Sequence, residues 1–143
     1  TAKLNSIGAD LAEEPGVNAV TDVTGFGLVG HLLEICKASK LAATLSWNKL
    51  PILPSAIDYA QKGYSTGAGK KNWNSFEDNV TLSNRLEEWQ KNLLIDPQTS
   101  GGLLVSCSSD QATGILSLFH EQEYNFATII GEMTEGDPHV NVS

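Results

Sequence analysis

Apolar positions along the chain repeat with a helical period in some stretches and with a strand period in others, and the two alternate irregularly. Leu4, Ile7, Leu11 and Ala12 fall on one helical stripe, and Pro15-Gly16 stops it. Asn18-Ala19-Val20-Thr21 predicts a short strand. After the Gly25-Phe26-Gly27 turn, Val29, Leu32, Leu33 and Cys36 recur at i, i+3, i+4 and i+7, one apolar face of a helix that Thr24 is placed to cap. Leu41 to Trp47 predicts a strand, and Pro51 and Pro54 a turn. Ser55 is placed to cap a short helix with Ala56, Ile57, Tyr59 and Ala60 inward and Gly63 at its end. Ser65 to Asn72 has the composition of a flexible loop, and Trp73 to Ser83 shows little periodicity. Arg85 to Asn92 predicts a polar helix with Leu86, Trp89 and Leu93 inward. Gly101 to Cys107 predicts a buried strand, and Ala112, Ile115, Leu116 and Phe119 a helix face. Ala127 to Met133 predicts another strand, with His139 to Val142 pairing at an edge. This order predicts an α+β fold, a mixed β-sheet covered by helices, in a single domain over residues 1–143 with 1–17 as a leading helix and connection.

Length and composition agree with one ordinary domain: 143 residues, 41% hydrophobic and 18% charged. No apolar run is long enough to span a membrane, and Thr1-Ala2-Lys3-Leu4-Asn5 does not open as a signal peptide does. These features, and the missing initiator Met, lead to the expectation of a piece of a cytoplasmic protein. A formal charge of −8 with scattered carboxylates argues against nucleic acid as a partner, since phosphate backbones need clustered Lys and Arg. The two cysteines, Cys36 and Cys107, lie in apolar runs and are expected to be buried free thiols. His31, His120 and His139 lack ligand spacing for zinc.

The candidate chemistry sits at the glycines. In Thr21-Asp22-Val23-Thr24-Gly25-Phe26-Gly27 a strand end fixes a carboxylate, glycines let backbone approach a ligand, and a helix start offers free N–H groups to an anion. Asp22 beside phosphate is a natural place for Mg²⁺, which takes one or two carboxylates plus phosphate oxygens. The same residues also suffice as a plain turn and cap. Gly25 to Gly30 satisfies G-x-G-x-x-G, but Trp47 to Pro51 has no carboxylate where a dinucleotide site needs one. Asp96-Pro97-Gln98-Thr99-Ser100-Gly101-Gly102 offers hydroxyls and a possible anion nest, and equally a β-turn. Gly67-Ala68-Gly69-Lys70-Lys71-Asn72 is half of a phosphate loop. Tyr64 and Lys71 stand where the full motif needs Gly and Ser or Thr, which leaves a basic pair on a mobile loop as a phosphate clamp or a solvated loop.

Taken together, the strings at 21–31 and 96–104 resemble the C-terminal half of selenophosphate synthetase (selenide, water dikinase), within the aminoimidazole ribonucleotide synthetase-like ATP enzymes. Leu4-Asn5, Leu50 to Pro54, the basic loop ending in Asn72, and Ile130-Gly131-Glu132 extend the likeness over nearly the whole chain. The resemblance implies manufacture of selenophosphate from selenide, ATP and water with Mg²⁺, and release of AMP and phosphate. It implies a homodimer and an N-terminal ATP-binding domain that this chain lacks, together with that domain's reactive Cys or selenocysteine, its Lys and further metal-binding aspartates. By position, Asp22 matches the family's Mg²⁺-reaching aspartate, with Thr24 to Gly27 shaping the turn. Phosphate contacts by Thr24, Gly25, Gly27, Lys70, Lys71, Asn72, Thr99, Ser100 and Gly101 extend that match. No catalytic nucleophile is expected here, so the isolated chain is expected to be inactive. A sister ATP enzyme (purine-pathway cyclase, thiamine-phosphate kinase or hydrogenase-maturation type) and a non-catalytic scaffold domain are the alternatives.

Overall fold

The computed structural model describes residues 16–22, 27–52, 54–63, 67–95, 103–124 and 127–143. The leading helix expected before Pro15 and the Thr24 cap lie outside them.

Strand β1 (Val17–Asp22) pairs antiparallel with β4 (Leu103–Cys107), Asp22 standing opposite Leu103. Helix α1 (Gly27–Ser39) follows β1 and leads through a tight turn to β2 (Ala42–Leu45). Helices α2 (Pro54–Gln61) and α3 (Gly67–Phe76) then cross to β3 (Val80–Leu82), and α4 (Glu88–Ile95) precedes β4. Helix α5 (Ala112–Glu121), β5 (Gly131–Thr134) and β6 (Val140–Val142) complete the order. The second sheet is four-stranded and mixed, ordered β3-β6-β2-β5, with β6 parallel to both neighbours and β5 antiparallel to β2. The long crossovers from β2 to β6 and from β3 to β6 are what parallel pairing requires.

Helix α1 forms where the apolar stripe predicts, and Val29, Leu32, Leu33 and Cys36 are buried with Ile35. They pack with Ala43 and Leu45 of β2, Val140 and Val142 of β6, and Leu94 and Ile95 of α4 in one cluster. Helix α4 touches α1, α2 and α3, so it is the hub of the helical layer. A smaller cluster forms where Ile115 of α5 packs against Val17, Val20 and Val105 of the two-stranded sheet.

Several elements differ from the sequence expectation. Residues 67–72 are not a loop but the first part of α3, which runs on to Phe76. Its inward positions Gly69, Asn72 and Phe76 are buried and Trp73 half-buried, at i, i+3, i+4 and i+7. A glycine and an amide in half of these places hide the helical period. Helix α2 starts at Pro54, whose fixed φ suits a first helical turn, and Tyr59 is 57% exposed rather than inward. Helix α4 starts three residues later than expected and buries Leu93, Leu94 and Ile95, with Leu86 and Trp89 half-buried. Strand β3 was not expected; Val80 is buried beside Val140, and Leu82, on the same face, packs half-buried against the core. Of the expected 127–133 strand only 131–133 lies in β5, which runs on to Thr134. Strand β6 lies inside the sheet rather than at an edge, because it is parallel to both β2 and β3. In β4 only Leu104 is buried among the described side chains, and Cys107 is half-buried where a buried thiol was expected.

Candidate functional site

Antiparallel pairing sets the site. Since Asp22 ends β1 opposite Leu103, which starts β4, the segments that follow Asp22 and precede Leu103 leave the same end of the two-stranded sheet. Asp22, in the first motif, and Leu103, directly after the second, are therefore neighbours across the strand pair.

A second junction joins Gly27 and Ile95. Gly27 opens α1 with φ +73°, and a Cβ there would stand 2.7 Å from the Ile95 carbonyl carbon and 2.8 Å from its oxygen. That approach and that φ both require glycine. The start of α1 thus lies directly on the last residue of α4. The partial positive end of one helix meets the partial negative end of the other, a favourable arrangement of dipoles.

The third segment arrives through Asn72. Its side-chain amide donates through Nδ2 to the Ile95 carbonyl at 3.3 Å, in a buried setting. Ile95 lies in the last turn of α4, where carbonyls have no partner within their own helix, so the amide fills a need that the fold creates. Lys70 and Lys71 are exposed on α3, fixed to a helix and not on a mobile loop.

Of the candidate residues, the structure brings Gly27 and Asn72 together at Ile95 and sets Asp22 opposite Leu103; the two groups are joined along the chain by residues outside the described ones. Thr24, Gly25, Thr99, Ser100 and Gly101 lie outside the described residues. Ile95 is the member that the sequence reading missed. Its only local signal is the apolar run Leu93-Leu94-Ile95 directly ahead of Asp96.

Other groups are poor reaction centres. Burial raises the Cys36 thiol above its ordinary range, against a smaller lowering from backbone hydrogen bonding at His139 and Cys36, and its Sγ faces the His139 carbonyl at 3.8 Å. Partial burial, with the nearby Asp110 charge, raises Cys107. Neutral thiols are weak nucleophiles. His31 is buried on α1 with Nδ1 3.5 Å from Glu34 Oε2, a local helix pair. A cleft of about 740 Å³ separates the smaller cluster from the four-stranded sheet. Among the described residues, Cys107 and Glu132 are its only ionisable lining residues. Among the described residues no three His, Cys, Asp or Glu side chains form a metal-holding group. Nor is any helix there long and apolar enough to cross a membrane.

An α+β domain of two sheets, with glycine-bearing motif segments brought to one strand end and one helix junction, is the class that these features define. The chain belongs to the family described as AIR synthase related protein, C-terminal domain, whose model matches residues 3–142. It is 51% identical over 142 residues to the selenide, water dikinase of Dechloromonas aromatica (strain RCB), covering 99% of this chain and 41% of that protein. The enzymes of that name from Pseudomonas straminea and Rhizobium meliloti (strain 1021) are 47% and 45% identical, each over 99% of this chain and 40% and 41% of their own length. The chain thus spans about two fifths of the curated relatives it matches. Among solved structures, hydrogenase maturation protein HypE superposes with a TM-score of 0.55 at 16% identity, over 92% of this chain and 33% of its own. That likeness is one of fold.

Proposed function

We propose that this chain is the C-terminal domain of an enzyme that makes selenophosphate from selenide, ATP and water, releasing AMP and phosphate. One observation carries the reading: the two motifs of the resemblance, 21–27 and 96–102, flank one strand end in a chain 51% identical to a selenide, water dikinase. The likeness to HypE does not move the reading toward hydrogenase maturation, because it extends to the fold and no further.

Within that enzyme the chain supplies position more than reactivity. Pairing with Leu103 fixes the backbone at Asp22. Asp22 would be a fitting but partial donor to Mg²⁺, which takes one or two carboxylates together with phosphate oxygens. An ion held there would supply positive charge to offset that of the phosphoryl group. The turn residues Thr24 and Gly25, and Thr99, Ser100 and Gly101, offer hydroxyl and backbone donors to phosphate oxygens. Lys70 and Lys71, on the exposed side of α3, supply longer-range positive charge. The reactive Cys or selenocysteine and its Lys belong to an N-terminal ATP-binding domain. The working enzyme is a cytoplasmic homodimer, and the isolated chain is inactive.

The test follows a reaction of the full-length protein with ATP, Mg²⁺ and selenide by phosphorus NMR. Selenophosphate, AMP and phosphate are expected in equal amounts, only when selenide is present. Accumulation of ADP as the end product, or turnover indifferent to selenide, would contradict the assignment.

A further inference from the structure

Asn72 is 8% exposed, yet the sequence offers it as a phosphate contact at the end of a glycine-rich basic stretch. Its Nδ2 is instead directed to the carbonyl of Ile95, itself 3% exposed. Gly27 stands against the same residue from another side, within 2.9 Å of its carbonyl carbon, oxygen and Cα for any added Cβ. Ile95 is therefore held between α3 and the start of α1. It is also the last described residue before the Asp96–Gly102 segment, and Gly27 is the first after the Asp22 turn.

We propose that Asn72 is a positioning residue for phosphoryl transfer: its amide, by holding the Ile95 carbonyl, sets where the 96–102 segment leaves α4 relative to the Gly27 end of α1. The chemistry is specific. The carbonyl needs a donor, and it gets one from a short, stiff amide on a helix that also packs on α1. Truncation leaves a buried carbonyl without this donor, a state that costs more than the bond itself is worth. The carbonyl then has reason to move toward water, and the end of α4 shifts with it. A carboxylate in place of the amide cannot donate, whereas a protonated carboxyl can.

The kinetic consequence rests on the function proposed above; the structural one does not. In the full-length protein, Asn72→Ala, Asn72→Asp and a control on an exposed position of the same helix, Asn74→Ala, are compared by hydrogen exchange and by turnover. Both Asn72 variants should speed exchange about tenfold in peptides covering 93–104 and leave the β2, β5 and β6 peptides at the wild-type rate. They should lower kcat about tenfold with KM for ATP changed less than about twofold, because geometry and not affinity is lost. Asn72→Asp should regain activity, relative to wild type, as pH falls and its carboxyl takes up a proton. Asn74→Ala should match wild type throughout.

Exchange that rises equally across the whole chain, or loss of the fold in both Asn72 variants, would make Asn72 a residue of stability and overturn the proposal. Wild-type kcat alongside faster exchange at 93–104 would overturn it too. If wild type itself makes no selenophosphate, the functional reading fails by that result alone. The exchange pattern then still decides whether Asn72 holds the segment after Ile95.

Discussion

Two glycines make close backbone approaches in this chain and do different things. Gly131 begins β5, where a Cβ would fall 1.9 Å from the Thr44 carbonyl oxygen of β2. Gly27 begins α1, where a Cβ would fall 2.7 Å from the Ile95 carbonyl carbon. Around Gly131 lies a sheet whose interior is apolar, with Ala43 and Val140 fully buried. Around Gly27 lie a helix junction, one side-chain amide and two motif segments. The sheet region holds the fold by burial, which tolerates small shifts if volume is kept. The junction holds geometry through a few short contacts, which do not tolerate them. Substitutions in the first region should therefore register as stability, and those in the second as turnover.

The largest effect is expected at Gly131→Val in the full-length protein. A branched side chain cannot fit against the Thr44 carbonyl without opening the β2–β5 ladder. The loss should exceed the roughly 1–3 kcal/mol of ordinary overpacking, seen as a lower urea midpoint or as insoluble protein. A wild-type midpoint would break the contrast. Next is Leu94→Ala, which empties a nearly fully buried site on the hub helix. It should cost about 2–5 kcal/mol in urea unfolding, with kcat under native conditions falling less than at the junction.

Gly27→Ala sharpens the comparison from the other side. Positive φ and overlap with Ile95 should cost roughly 1–3 kcal/mol of stability, while kcat falls well beyond what that loss explains. Since Gly27 and Asn72 act on the same residue, combining Gly27→Ala with Asn72→Ala should cost less than the sum of the two in log kcat. Additive losses would mean that the two contacts position different things.

The smallest effect is at the thiols. The raised Cys36 value means that its stabilising contribution is complete below the ordinary thiol range. It is lost as pH climbs through that range toward the raised value, because the unfolded chain gives up the proton first. The urea midpoint should drift down above the ordinary thiol range and drift less in Cys36→Ala. In native protein a thiol alkylating reagent should reach half-buried Cys107 before Cys36. The reverse order would contradict the packing of α1 on β6.

How much of this was legible in the sequence follows from the same contrast. Helix α1 was readable because Val29, Leu32, Leu33 and Cys36 are all apolar and face one way. Helix α3 was not, because Gly69 and Asn72 fill inward positions that the pattern scores as polar or neutral. The α+β class followed from the order of elements, but the interior place of β6 did not. Its parallel partners, β2 and β3, are joined to it only through crossovers that no local pattern records. At the site, the glycine strings and Asp22 stood out by their chemistry. The acceptor that Asn72 serves is a backbone carbonyl, which every residue has and no sequence marks. Lys70 and Lys71 looked mobile for the same reason that α3 was missed.

The central claim is that Asp22 is one contributed metal ligand in an ATP-using site shared with another domain. The most direct test is a Mg²⁺ titration of turnover in the full-length enzyme, wild type against Asp22→Asn. With the urea midpoint unchanged, the variant should show a large loss of kcat and need much more Mg²⁺ for half-maximal rate, since a neutral amide oxygen replaces a carboxylate at the ion. Turnover and Mg²⁺ dependence equal to wild type would contradict the account.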